Sequence, residues 1–242
     1  MSVLAVFLVA MGMADICRTA LSAHWPALAA GPAATVVCAA LAGLWHLGDI
    51  ALLLIVAAAT VSWTLWCRRA ETRGTGQVAP LLLFGAVAVA LLLLSGLATP
   101  AAGPLAHWLQ WVGQPDLEPT RALMIAGVTL VQLATGNQLV RLVLGSVGAV
   151  RPGPLPQPSD RLKGGRLLGP MERLLILGLG LGGQLAAASV VVAAKSIIRF
   201  PELSAAHKDT GGPGIDEVTE YFLVGSFASW LLAMAGLALV LP

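Results

Sequence analysis

The chain has 242 residues, 57% of them apolar and 11% charged; a soluble domain carries roughly 25% charged residues, so a soluble globular protein is excluded. Its 14 Lys and Arg against 12 Asp and Glu leave a net charge of +2, and no basic run is interleaved with aromatics, which argues against a nucleic-acid partner. The chain belongs in lipid.

A bilayer core of about 30 Å takes roughly 20 residues of helix. Seven apolar segments of that order follow one another: Val3 to Ala20, Ala27 to Trp45, Asp49 to Trp66, Pro80 to Ala98, Ala122 to Gly145, Arg173 to Ile198 and Val218 to Leu241. The first has no Lys or Arg ahead of it, the first base being Arg18, so it reads as a retained span and not a cleaved leader. Gly31-Pro32 is expected to kink or shorten the second. Cys17, Cys38 and Cys67 lie in or at the ends of apolar segments without CxxC spacing and read as structural. These runs lack the alternation of barrel strands, so the expected fold is an all-α transmembrane bundle.

Between the spans, Pro104 to Val112 is too short to cross and carries Trp108 and Trp111, which suits an interfacial helix on the outer side. Arg151 to Asp160 is Pro-rich and predicts an extended cytoplasmic linker. The chain thus divides into a five-span module over residues 1–150, a linker over 151–164 and a two-span module over 165–242. With the N-terminus outside and the C-terminus inside, Arg18, Arg68, Arg69, Arg73, Arg141, Arg151, Arg161, Lys163, Arg166 and Arg173 fall at inner ends. Arg121, Lys195, Arg199 and Lys208 then lie outside, a positive-inside bias. The basic ends are expected on the cytoplasmic side.

Ionisable groups at membrane depth cost energy, so the polar residues of the spans are the candidate site. In the sixth, Arg173, Gln184, Lys195 and Arg199 fall within an arc of about 80° on one continuous helix. Either the two arginines snorkel to opposite interfaces, or Lys195 and Arg199 line an outer mouth facing an anionic ligand. Glu217, Glu220 and Tyr221 sit at the outer end of the seventh span, expected to run antiparallel to the sixth, where they serve as salt-bridge partners or as an acid/base group. In the fifth, Asn137, Gln138 and Arg141 share about 100° of arc and face other helices or a pathway. His46 and Asp49 stand at i and i+3 near the outer surface, too few for a metal site. Asp15 and Arg18, at the same spacing, read as neutralising each other at the inner end of the first span.

Gly178 to Gly183 is a small-residue packing face within a membrane helix, and no strand precedes it as a dinucleotide fingerprint requires. No GxSxG elbow, P-loop or HExxH motif occurs, and no cofactor is implied.

The stretch Gly165-Arg166-Leu-Leu-Gly169, Glu172-Arg173-Leu-Leu-Ile176, Gly183-Gln184, Ala194-Lys195-Ser196-Ile-Ile-Arg199-Phe200 and Glu220-Tyr221-Phe-Leu-Val-Gly225-Ser226 resembles a family of bacterial inner-membrane proteins, domain of unknown function 3307. The resemblance covers about a quarter of the chain, and His46-Leu47-Gly48-Asp49 is a shortened, displaced counterpart of that family's His-Leu-x-x-Asp-Phe signature. It implies no activity, but it picks out Glu172, Arg173, Gln184, Lys195, Arg199 and Glu220.

Three functions fit the sequence. One is a membrane protein binding or translocating a small polar or anionic solute, or a lipid headgroup, through an outward-opening cavity, with Lys195, Arg199, Gln184, Gln138, Asn137, Arg141, His46 and Asp49 as ligand-binding residues. A second is a membrane-embedded enzyme on a lipidic substrate, with Glu217, Glu220 and Tyr221 catalytic. The third is a structural subunit packed against a membrane-protein partner or another copy of itself.

Overall fold

The computed structural model describes residues 1–21, 24–149, 165–194 and 215–241, and every regular element among them is helical. In chain order these are α1 (Ser2–Ala20), α2 (His24–Ala42), α3 (Leu47–Arg73), α4 (Val78–Leu93), α5 (Gly103–Trp111), α6 (Pro119–Leu130), α7 (Gly136–Ser146), α8 (Gly165–Leu181), α9 (Leu185–Ala194) and α10 (Ile215–Val240). A π-helical turn, Val131–Thr135, joins α6 to α7 without a break. Five helical stretches are long and apolar enough to cross a bilayer: Ser2–Ala20, Trp25–Ala42, Leu47–Arg73, Pro119–Ser146 and Thr219–Val240. The bundle is therefore an all-α array of apolar helices, as a membrane protein requires.

Two of the seven expected spans take another form. The fourth is the shorter α4, which ends before a 3-10 turn at Ser95–Leu97. The sixth is broken: α8 stops at Leu181, Gly183 takes φ +73°, and the Gln184 N–H bonds back to the Leu179 carbonyl at 2.8 Å. This is the glycine C-cap that reverses a chain, since only glycine enters the left-handed region at no steric cost. Ile176 and Ala188 then meet in one buried cluster with Ala233, which a straight helix, holding them roughly 18 Å apart, forbids. α8 and α9 form a helical hairpin. In α2, by contrast, the helix runs through Pro32, a tolerance common in membrane helices.

The described residues form two compact units, Met1–Arg69 with Ala79–Thr135, and Ala70–Val78 with Gly136–Pro242. The division falls inside the fifth expected span, and the Pro-rich linker, 151–164, lies outside the described residues.

In the first unit α1 is the central element, buried from Ser2 to Gly12, which fits a helix apolar on all sides. It packs against α6 at glycines from both sides: a Cβ on Gly12 would lie 2.6 Å from Leu130 Cβ, and one on Gly127 2.9 Å from the Ala5 carbonyl oxygen. Likewise Gly31 of α2 sits where a Cβ would lie 2.6 Å from Thr60 Cβ of α3. In lipid no hydrophobic force draws helices together, so such close backbone approach supplies the association energy through dispersion. Trp63 is fully buried, with its ring 5.8 Å from that of Phe84, which also meets Phe7 at 5.5 Å. The short segment with paired tryptophans is helical as α5: Leu109 is buried, while Trp108 and Trp111 are 54% and 83% exposed.

In the second unit α7, α8 and α10 pack around one another. Arg173 meets Ser229, Ile176 clusters with Ala233, and Gly180 lies against Leu237, so positions on α8 and α10 rise together. The two helices are parallel, a correction to the antiparallel pair expected for consecutive spans. The hairpin is the reason, because α9 supplies the return. α7 runs antiparallel to α10, with Asn137 near Ser229 through Arg173 and Leu144 beside Gly225.

Candidate functional site

Arg173 is the best-placed of the sequence-selected residues. It lies in the interior of α8, opposite the middle of the 26-residue α10, and is 1% exposed. It therefore does not snorkel. Its Nη1 donates to Ser229 Oγ at 3.0 Å and its Nη2 to Asn137 Oδ1 at 2.7 Å. Two glycines make the slot: a Cβ on Gly136 would lie 2.9 Å from Arg173 Nε, and one on Gly169 3.4 Å from Nη1. Glu172, its chain neighbour, is buried as well. A guanidinium keeps its proton in any protein setting, so a permanent cation is fixed among three helices.

The same unit holds further buried donors. Gln138 is 6% exposed, and its Nε2, like the indole Nε1 of Trp230, has no hydrogen-bond partner among the described residues. Trp230 follows Ser229 on α10 and packs against the cluster of Ile176, Ala188 and Ala233.

Other expected site residues fall elsewhere. Gln184 is exposed at the tip of the hairpin, and the helical break there removes the common arc proposed for it with Arg173, since the phase of one helix does not carry through a reversal. Lys195 and Arg199 lie outside the described residues. Arg141 is exposed on α7, Glu220 is exposed near the start of α10 and Tyr221 is half-buried; Glu217 belongs to α10.

His46 and Asp49 do come together, at 3.7 Å between Nδ1 and Oδ2. The carboxylate is nevertheless already occupied. Fully buried, it accepts from the Thr99 N–H at 2.8 Å, the Thr99 hydroxyl at 2.7 Å and the His46 N–H at 3.3 Å. Ser2 in turn donates its hydroxyl to the Thr99 carbonyl. Asp49 thus caps the start of α3, where an acid in the first turn is favoured, and ties the 3-10 segment to it.

Sequence reasoning missed a second buried centre in the first unit. Asp15 is 1% exposed; it accepts from Arg18 Nε at 3.1 Å, and the Trp63 indole N–H is shared between its two oxygens at 3.2 and 3.3 Å. The Thr135 hydroxyl, fully buried on the π-turn, faces the same carboxylate. The Asp15–Arg18 pair was legible from its spacing; its burial, and the partner from α3, were not. Among the described residues no group of three or more His, Cys, Asp or Glu comes together to hold a metal.

The chain matches no protein-family model, no curated protein and no solved structure.

Proposed function

We propose that this is a multi-pass protein of the bacterial cytoplasmic membrane that binds or translocates a small polar or anionic solute, or a lipid headgroup, at Arg173 in the C-terminal unit. The observation that carries the reading is the buried, fixed Arg173 guanidinium, in a unit that also buries Gln138 Nε2 and Trp230 Nε1 with no acceptor among the described residues. Buried donors left idle cost about 1–3 kcal/mol each, and a ligand rich in acceptor oxygens, a carboxylate or a phosphate, removes that cost.

The orientation proposed with it has the N-terminus outside, so that α8 and the parallel α10 both enter from the inner face.

The purified full chain in detergent, titrated with inorganic phosphate, with succinate and with phosphatidylglycerol, tests the proposal. Saturable binding of at least one, lost in Arg173→Gln and weakened in Gln138→Leu, is the expected result. Equal binding by wild type and both variants overturns it.

A further inference from the structure

The first unit holds an ionisable group that the proposed anion site does not use. Asp15 lies within α1, with its carboxylate side chain 2% exposed, and the one charged group beside it in the described structure is Arg18, 18% exposed and one turn nearer the helix end. An Asp–Arg pair spaced i, i+3 on one helix joins no two elements, and such pairs give only a few tenths of a kcal/mol. Packing alone therefore gives little reason to keep a carboxylate there. The tie between helices comes from the Trp63 indole of α3, and a neutral carboxyl can accept that bond equally well.

The third element is the π-turn. π-helical turns inside α-helices concentrate at functional sites, and this one, Val131–Thr135, presents the fully buried Thr135 hydroxyl to the same carboxylate. The other described hydrogen bonds to the Asp15 carboxylate come from N–H groups, which can only donate. A hydroxyl can donate to the ionised carboxylate and, turned about, accept the O–H of the carboxylic acid, so Thr135 can serve both protonation states.

We infer that Asp15 is a proton-binding site of the N-terminal unit, filled from the membrane side toward which Arg18 leads, with Arg18 released as the proton arrives. In the step, a hydronium ion gives its proton to the Asp15 carboxylate, an O–H bond forming there as one breaks in the hydronium and water leaves, and the hydrogen bond from Arg18 Nε to Oδ1 breaks. The site passes from anion to neutral acid, and Arg18 keeps its charge and turns to solvent. The groups packed around the carboxylate leave this cycle to Asp15 and Arg18: Trp63 and Thr135 do not titrate in the working range, α2 carries no charged residue from Trp25 to Ala42, and Cys38 on α2 and Cys67, one turn beyond Trp63 on α3, are buried thiols. A metal cation is disfavoured beside the Arg18 guanidinium, which leaves the proton as the cation of this site.

Infrared spectra of the full chain in liposomes across pH test this. The wild type is expected to show a carboxylic-acid C=O band that grows as pH falls, shifts in heavy water and is missing from Asp15→Asn. In Arg18→Gln, which removes the cation favouring the ionised form, the midpoint of that band moves upward by about one pH unit, a tenfold gain in proton affinity. This second variant decides the matter should Asp15→Asn fail to fold. Absence of a titrating band attributable to Asp15, a midpoint unmoved by Arg18→Gln, or a response to sodium at constant pH each overturns the inference.

Discussion

Gly136 and Arg173 occupy one another's space: the missing Cβ of the glycine is what admits the guanidinium, whose Nε would lie 2.9 Å from it. Gly136→Ala is therefore expected to cost about 1–3 kcal/mol through overpacking. The cost should shrink in an Arg173→Met background, where the side chain is flexible and uncharged. A double-mutant cycle from unfolding in mixed micelles reads the coupling, expected at about 1 kcal/mol or more; additive effects would mean that the slot does not serve Arg173.

Ser229→Ala removes the acceptor of Arg173 Nη1. A bond to a charged group contributes about 1.5–3 kcal/mol, so a loss of that order is expected. Ser226→Ala, one turn earlier on α10 and also buried, serves as the comparison. Thermal unfolding of the two variants side by side checks the difference.

At the α1–α6 contact, Gly127→Ala places a methyl 2.9 Å from both the Ala5 carbonyl oxygen and Leu8 Cβ. Backbone cannot yield as a side chain tip can, so a loss of about 1–3 kcal/mol is expected. The same substitution at Gly85, with nothing within 4 Å, is expected to be neutral or slightly stabilising. Paired melting curves separate them.

Thr99→Val deletes one of the two bonds that Thr99 gives to the Asp49 carboxylate and keeps the backbone N–H donor. A loss of about 1.5–3 kcal/mol is expected. Increased protease nicking between α4 and α5 would locate the loosened segment.

Sidedness is open to direct measurement. In a chain freed of its three native cysteines, a cysteine at Gln184 is expected to react with a membrane-impermeant maleimide added outside intact cells. A cysteine at Glu220, exposed near the start of α10, is expected to react only after lysis. The opposite pattern would require α8 and α10 to enter from the other face.

Composition and run length were enough to foretell an all-helical array, because a helix that must satisfy its backbone in lipid leaves little choice. That the segment carrying Trp108 and Trp111 is too short to cross was legible as well: α5 has nine residues. The hairpin was hidden. Apolar residues continue through Gly182 and Gly183, and hydropathy does not distinguish a helix that goes on from one that turns back; only the left-handed φ of Gly183 does. Arg173 stood out as a charge in an apolar run, but its slot is made by glycines distant in sequence, and glycine announces neither a cleft nor its occupant. Asp15 was read with the partner three residues away, while Trp63, 48 residues on, is a contact that only folding brings about.

The parallel course of α8 and α10 also fixes an order of synthesis. The cap at Gly183 can form as soon as Gln184 has emerged, and Asn137 precedes Arg173 in the chain, so the guanidinium can meet that amide early. Ser229 leaves the ribosome only after a further 55 residues have followed Arg173. During that interval the growing chain must hold the cation without its hydroxyl partner, and a nascent chain halted before α10 would present that defect to the cell's quality-control proteases.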